Sequence, residues 1–152
     1  MGKVSVSELE ALYELYNENK TVYLHFGRGE NSFEVEVKRR LNADEAMDIV
    51  TYVCNKVVNP ETGDYNPELK DYFLRVAVLK TYTNLMLPED KRCWDFVYGT
   101  PIFAKITGNE RRPVIFGNWD YGCDDAVIDV EQYEQIVTAI DQLIDYTVRC
   151  GY

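Results

Sequence analysis

The residues best suited to acid–base chemistry are the only histidine and a glutamate of the next predicted strand. His25 shares a face of the first predicted strand with Tyr23, and the hairpin register would place it near Glu34. A histidine beside a carboxylate can act as a general base. Because no serine or cysteine of the sequence lies in a nucleophile motif, we favour a surface histidine and rank a small hydrolase using His25 third among the functions.

A group of aspartates carries the oxygen ligands that calcium and magnesium prefer: Asp120, Asp124, Asp125 and Asp129. Their spacing lacks the Asp-x-Asp-x-Asp-Gly pattern and the distal glutamate of a calcium loop. We therefore favour an ordinary solvated acidic loop over a metal site. The sequence predicts no metal and no cofactor.

Four cysteines, Cys54, Cys93, Cys123 and Cys150, form no Cys-x-x-Cys pair that could hold zinc or act as a redox dithiol. Residues 1–6 lack a cationic-then-apolar leader, and their serine stands one place too early for the usual myristoylation pattern. We therefore expect free thiols, a cytoplasmic location and no membrane anchor. A disulfide framework is the less favoured alternative, since the cysteine count is even.

The composition suits one domain with a single core. The chain has 152 residues, of which 46% are hydrophobic and 28% charged, so it is too apolar for disorder and too charged for a membrane span. Its formal net charge is −10. An acidic surface lacks the general affinity for phosphate backbones that a basic surface has, so we expect no direct nucleic-acid binding.

Acidic residues are concentrated toward the C-terminus. Residues 118–152 contain eight carboxylates and one arginine, which account for −7 of the net charge of −10. A solvated helix face would explain this pattern, and a docking surface for a basic partner is the functional alternative. The candidate partner-binding residues are Trp119, Asp120, Tyr121, Asp124, Asp125, Glu134, Asp141 and Asp145.

Tyrosine is also unusually frequent, at 12 of 152 residues. Tyrosine and tryptophan combine a large apolar body with a polar tip, which suits protein interfaces. A tyrosine-rich core and its rim would explain the count equally well. Several of these side chains fall in predicted loops or at the ends of elements: Tyr65, Trp94, Tyr98, Trp119, Tyr121 and Tyr152.

The N-terminal part of the chain predicts a helix followed by a β-hairpin. Ser7 opens a Ser-x-x-Glu capping box for a helix that ends near Asn19. Residues 21–26 and 33–38 alternate apolar and polar side chains, which predicts two paired strands with one wet face. The motif Gly27-Arg28-Gly29 joins two strands, so it predicts a turn and not a phosphate-binding loop.

The middle of the chain predicts two longer helices. Asn42 and Glu45 form a second capping pair for a helix that stops at Asn59-Pro60. Pro67 then opens a helix of about twenty residues, reaching Met86. Because apolar residues cover nearly its whole circumference, this helix should be central and packed on several sides.

Two short helices follow, opened by Pro88 and Pro101. Helical periodicity then fails over residues 108–125, which we interpret as an ordered loop with at most one strand. Asp129 and Gln132 form the capping pair of a last, clearly amphipathic helix. These elements predict an α+β fold: a mostly helical single domain over residues 1–152, with an N-terminal β-hairpin, a buried central helix and an amphipathic C-terminal helix.

Several segments are shared with one group of small proteins: residues 33–41, 45–47, 62–68, 78–88, 97–100 and 135–141. In these segments the chain resembles largely uncharacterised proteins encoded by tailed phages and prophages of Gram-positive gut bacteria, often beside virion structural genes. Relative to that group, residues 108–125 are an insertion. We hypothesise that this insertion contacts the partner rather than supporting the fold.

The resemblance implies a non-enzymatic phage protein of the virion-assembly class: an adaptor, an accessory or decoration subunit, or an assembly factor. Its partner would be a phage structural protein, and homo-oligomers stay open. The alternative is an acidic phage-encoded inhibitor of a basic host defence protein, whose carboxylates occupy a surface meant for nucleic-acid phosphates. Either protein would work in the host cytoplasm, and a structural subunit would also enter the virion.

Overall fold

Six α-helices and two strand pairs make up the residues that the computed structural model describes: 2–16, 21–108, 111–113, 119–121 and 126–150. The helices are α1 (Val6–Tyr16), α2 (Ala43–Val57), α3 (Lys70–Tyr82), α4 (Arg92–Gly99), α5 (Ile102–Thr107) and α6 (Val130–Cys150). The strands are β1 (Thr21–Phe26), β2 (Phe33–Lys38), β3 (Arg111–Pro113) and β4 (Trp119–Tyr121). The predicted mostly helical α+β domain with an N-terminal hairpin is confirmed.

Helix α1 begins earlier than the sequence predicts. The backbone N–H of Glu8 donates to Ser5 Oγ at 3.2 Å, so Ser5 is the N-cap. The capping box assigned to Ser7 and Glu10 is therefore wrong. Both serines are followed by a glutamate three residues later, and this local pattern alone does not distinguish them. The end predicted near Asn19 lies outside the described residues.

Strands β1 and β2 form the predicted antiparallel hairpin. Their register places His25 opposite Glu34, as predicted, and both valines of β2 are buried while its glutamates are exposed. The turn requires glycine at position 27, where φ is +94°. A Cβ atom on Gly27 would lie 2.1 Å from the backbone oxygen of Asn31.

The capping pair before α2 is confirmed. Asn42 Oδ1 accepts a hydrogen bond from the backbone N–H of Glu45 at 2.9 Å, and Glu45 Oε1 accepts one from the N–H of Asn42 at 3.2 Å. The two side chains thus satisfy amides that the helix leaves unpaired. Helix α2 ends at Val57, just before the predicted stop at Asn59-Pro60.

Helix α3 is the central helix, as predicted. Its buried side chains face several directions: Leu74, Val76, Ala77, Val78, Leu79 and Tyr82. It packs against α2, α4 and α5, and α2 packs in turn against α6.

Two of the predicted free thiols, Cys54 and Cys93, are confirmed and are buried in this core. The thiols of Cys123 and Cys150 lie outside what the structure describes.

Helix α3 is nevertheless shorter than predicted. Pro67 opens a short 3-10 turn, and α3 itself ends at Tyr82. The chain then pairs with β2: the N–H of Asn84 donates to the backbone oxygen of Glu36 at 3.2 Å, and the N–H of Glu36 donates to Asn84 Oδ1 at 3.0 Å. This tertiary pairing replaces the helical bonds, so the prediction that Met86 belongs to the helix is wrong.

Helix α4 begins at Arg92, so the predicted start at Pro88 is also wrong. Just before α4, Asp90 Oδ1 accepts a hydrogen bond from the backbone N–H of Arg92, the first residue of the helix, at 2.9 Å. The carboxylate also pairs with the Arg92 guanidinium, which holds the pKa of Asp90 below its usual value. Helix α5 starts directly after Pro101, as predicted.

An arginine joins the central helix to α4 and α5. The Arg75 guanidinium carbon lies 5.1 Å from the centre of the Tyr98 ring and 4.6 Å from that of Phe103. Its Nε atom also donates to Asp71 at 2.9 Å. Because the guanidinium stacks on both aromatic rings and is fixed by the carboxylate, it helps to pack α4 and α5 against α3.

Helix α6 is amphipathic and closes the core, as predicted, with Ile136, Ile140 and Ile144 buried. Of its predicted capping pair, Asp129 is confirmed and Gln132 is not. Asp129 Oδ1 accepts from the backbone N–H of Gln132 at 3.2 Å, but the Gln132 side chain bonds to Leu41.

Within the described ranges, no helix is both long and apolar enough to cross a membrane.

Candidate protein-binding surfaces

The stretch 108–125 contains a pair of short antiparallel strands, β3 and β4, where the sequence predicts at most one strand. Their register pairs Arg111 with Tyr121, Arg112 with Asp120 and Pro113 with Trp119. The two arginine positions are thus opposite two of the candidate binding residues, Tyr121 and Asp120. Asp124 and Asp125 lie outside the described residues. That this stretch is an insertion and contacts a partner stays a prediction.

The three other candidates share the exposed face of α6. Glu134, Asp141 and Asp145 are all solvent-exposed, and their spacings of seven and four residues align them along the helix. Asp141 forms an ion pair with Lys70 of α3, and Asp145 Oδ1 lies 3.0 Å from Arg149 Nε. Two of the three carboxylates are therefore already paired within the chain.

Asp129, which the sequence groups with the loop aspartates, has a structural role. Besides capping α6, its Oδ2 accepts from Arg40 Nη1 at 2.9 Å. Its N–H donates to the backbone oxygen of Arg39 at 2.8 Å. In the described part of the chain, no group of three or more His, Cys, Asp or Glu residues is arranged to hold a metal ion.

His25 and Glu34 do form the predicted pair, with 3.5 Å between Nε2 and Oε2. Both side chains are exposed on the wet face of the hairpin. Tyr23 and Glu36 are directly opposite each other on the same two strands, and the negative charge of Glu36 raises the pKa of Tyr23. This is an open surface of the hairpin and not an enclosed cavity.

The predicted interface aromatics separate into two groups. Tyr65 is exposed on the turn between α2 and α3. Trp94 and Tyr98 of α4 are also exposed, but they stack on Tyr72 of α3, with 4.6 and 6.2 Å between the ring centres. Tyr98 Oη also donates to Asp71 Oδ2 at 2.8 Å, so these rings support the packing of α4. The side chains of Trp119, Tyr121 and Tyr152 lie outside what the structure describes.

Helix α1 presents an exposed apolar surface that sequence reasoning misses. The exposed fractions of five large side chains lie between 47% and 72%: Val6, Leu9, Leu12, Tyr13 and Leu15. Glu8, Glu10 and Glu14 stand among them on the same helix. The apolar spacing predicts the helix, but only the tertiary structure shows that its apolar residues are exposed.

A groove of about 410 Å³ lies between α2 and α6, next to α1. Small side chains on both helices, Ala43, Ala46 and Ala139, keep it open, and Tyr13 of α1 lies at its edge. Met47 also lines it and is largely exposed. The groove and α1 therefore form one continuous, partly apolar surface, which we call the α1 surface.

Searches of protein families, of curated proteins and of solved structures find no match for this chain.

Proposed function

We propose that this chain is a non-enzymatic, protein-binding phage subunit of the virion-assembly class. The class comes from the sequence resemblance. The α1 surface is the observation that carries the binding role, because large apolar side chains on a helix of the domain are exposed by between 47% and 72%. Contiguous exposed apolar surface of this kind marks protein contact sites.

Burial of α1 by a partner would be strongly favourable. Removing each half-exposed side chain from water contributes roughly 1 kcal/mol, so the helix offers several kcal/mol in total. Glu8, Glu10 and Glu14 place negative charge at the edges of the apolar residues. The complementary partner surface is therefore an apolar groove or helix rimmed by lysine and arginine.

The acidic residues of α6 support the inhibitor alternative less well than the α1 surface supports the assembly role. A phosphate mimic needs carboxylates that are free to meet the basic residues of the target. Asp141 and Asp145 would first have to give up Lys70 and Arg149. Glu134 has no ion pair among the described residues, and a single exposed carboxylate contributes little to binding.

The test is cross-linked capture from phage-infected cells, followed by mass spectrometry. The double variant Leu9→Ser/Leu12→Ser removes the centre of the α1 surface. Met86→Ser is the control, because Met86 is an exposed apolar side chain in the segment after α3, outside the α1 surface. All three side chains are exposed, so both variants should fold.

We expect the wild type and Met86→Ser to capture a virion structural protein, and the double variant to lose it. Peptides of the chain should also appear in purified virions if it is a structural subunit. Capture of a host nuclease or other defence protein would favour the inhibitor. Capture that is unchanged in the double variant would exclude the α1 surface as the binding site.

A further inference from the structure

A second cavity lies on the other side of α2 from the α1 surface. It has a volume of about 310 Å³, is lined by α2, α3 and the residues that lead into α4, and opens to solvent. This volume is at the lower end of the range for small-molecule sites. The protein-binding role proposed above does not involve this cavity.

The floor of the cavity is aromatic. The Tyr52 and Phe73 rings meet edge to face with 6.1 Å between their centres, and Tyr72 contacts Phe73 in the same way at 5.1 Å. Buried Val76 and Cys93 complete the apolar lining. A floor of this composition accepts a flat ring, because aromatic rings pack face to edge or offset on one another.

Two lysines stand over the same rings. Lys56 Nζ lies 5.7 Å from the centre of the Tyr52 ring and Lys80 Nζ lies 5.6 Å from it, on α2 and α3 respectively. Among the described residues, neither ammonium has a carboxylate within 4 Å, whereas Lys38 and Lys70 are each paired with an acid. The protein as a whole carries a net negative charge, so two ammoniums without a carboxylate partner give this cavity a local positive charge.

The acids at the cavity do not cancel this charge. Asp90 is held by Arg92, with Nη2 to Oδ2 at 2.8 Å. Glu89 is exposed at the rim and is the one lining carboxylate that would oppose an anion. The lining of the cavity therefore carries more free positive than free negative charge.

We propose that this cavity binds a small planar ring that carries a carboxylate or a phosphate. The ring lies on Tyr52, Tyr72 and Phe73, and the anionic group lies between Lys56 and Lys80. The ring supplies apolar contact area, and the charge-assisted hydrogen bonds from the lysines supply the preference for an anion. The lysine and aromatic side chains of two helices, α2 and α3, converge at this cavity, and no carboxylate of the described residues pairs with either ammonium.

The test is an NMR titration of the full-length ¹⁵N-labelled protein with two anionic probes and their uncharged counterparts. Indole-3-acetate is compared with indole-3-ethanol, and adenosine monophosphate with adenosine. Binding is followed at the backbone amides of Val76, Leu87 and Cys93, which line the cavity. The variants are Lys56→Gln/Lys80→Gln, its matched control Lys105→Gln on α5, and Glu89→Gln.

We expect at least one anionic probe to shift these amides and to bind about tenfold tighter than its uncharged counterpart. The double lysine variant should lose that preference, Lys105→Gln should keep it, and Glu89→Gln should strengthen it. The proposal is overturned if neither anionic probe shifts the cavity amides at about 10 mM. It is equally overturned if the double lysine variant binds the probes as the wild type does.

Discussion

The side-chain amide of Gln132 forms hydrogen bonds with both backbone groups of Leu41. The N–H of Leu41 donates to Gln132 Oε1 at 2.8 Å, and Gln132 Nε2 donates to the backbone oxygen of Leu41 at 2.8 Å. Tyr82 Oη donates to the same Oε1 at 3.3 Å. One side chain thus joins α6, the turn before α2 and the end of α3.

Replacing this glutamine should destabilise the fold. Gln132→Ala leaves the partly buried N–H and C=O of Leu41 without partners, which we expect to lower the free energy of unfolding by about 2–3 kcal/mol. Gln142→Ala, an exposed position on the same helix, should change it by less than about 0.5 kcal/mol. Urea unfolding followed by circular dichroism measures both, and equal stabilities would contradict the role of the pair.

The interior and the C-terminal end of the predicted central helix should respond differently to truncation. Leu79→Ala removes a fully buried side chain and should cost about 2–5 kcal/mol of unfolding free energy. Met86 is 97% exposed, so Met86→Ala should cost less than about 0.5 kcal/mol. Leu79→Asp or Val76→Asp should leave little soluble protein. Thermal melts of the alanine variants check the contrast, which a costly Met86→Ala would refute.

Buried tyrosines should make the protein unstable at alkaline pH. Burial raises the pKa of Tyr133 to about 12, and burial and the nearby Asp129 raise the pKa of Tyr82 well above its usual value. The unfolded chain loses these protons near pH 10. The stabilisation is therefore complete below about pH 10 and is lost as the pH rises toward the folded-state values.

Unfolding measured between about pH 9 and 12 tests this dependence. The free energy of unfolding of the wild type should fall across this window, and Tyr82→Phe should show a shallower fall because it cannot ionise. Tyr146→Phe, at an exposed position on α6, is the matched control. Identical slopes for the wild type and Tyr82→Phe would mean that Tyr82 does not contribute.

Neutralising the α6 acids should have little effect. The triple variant Glu134→Gln/Asp141→Asn/Asp145→Asn should change stability by no more than about 0.5 kcal/mol per site, because exposed charges contribute little. Capture of the partner should persist and show no added salt sensitivity. The comparison is the triple Glu8→Gln/Glu10→Gln/Glu14→Gln on α1, which should weaken capture. The opposite ranking of the two variants would favour the inhibitor function.

Local signals in the sequence are sufficient to predict most elements. The Asn42–Glu45 box and the isoleucines of α6 are visible because caps and helical periodicity depend on neighbours along the chain. The end of α3 is not visible in this way, since Asn84 leaves the helical path to bond with Glu36, 48 residues away. No pattern near Asn84 records that contact.

The candidate sites likewise combine features that local sequence signals predict with features that depend on tertiary contacts. Tyr52 and Lys56 are one helical turn apart, so the sequence already places them together. That Lys80 meets the same ring depends on how α2 packs on α3. The exposure of Leu9 likewise depends on the packing of α1 against the rest of the chain.

The bonds between Asn84 and Glu36 also protect the hairpin from unwanted association. An open strand edge is a template for pairing with other chains. β2 has β1 along one side, and on the other side it has Thr83 in a bridge to Val37 and Asn84 beside Glu36. The outer edge of β2 is therefore covered at Glu36 and Val37, whereas no strand of the described residues pairs with the outer edge of β1, so strand addition to this sheet is favoured along β1.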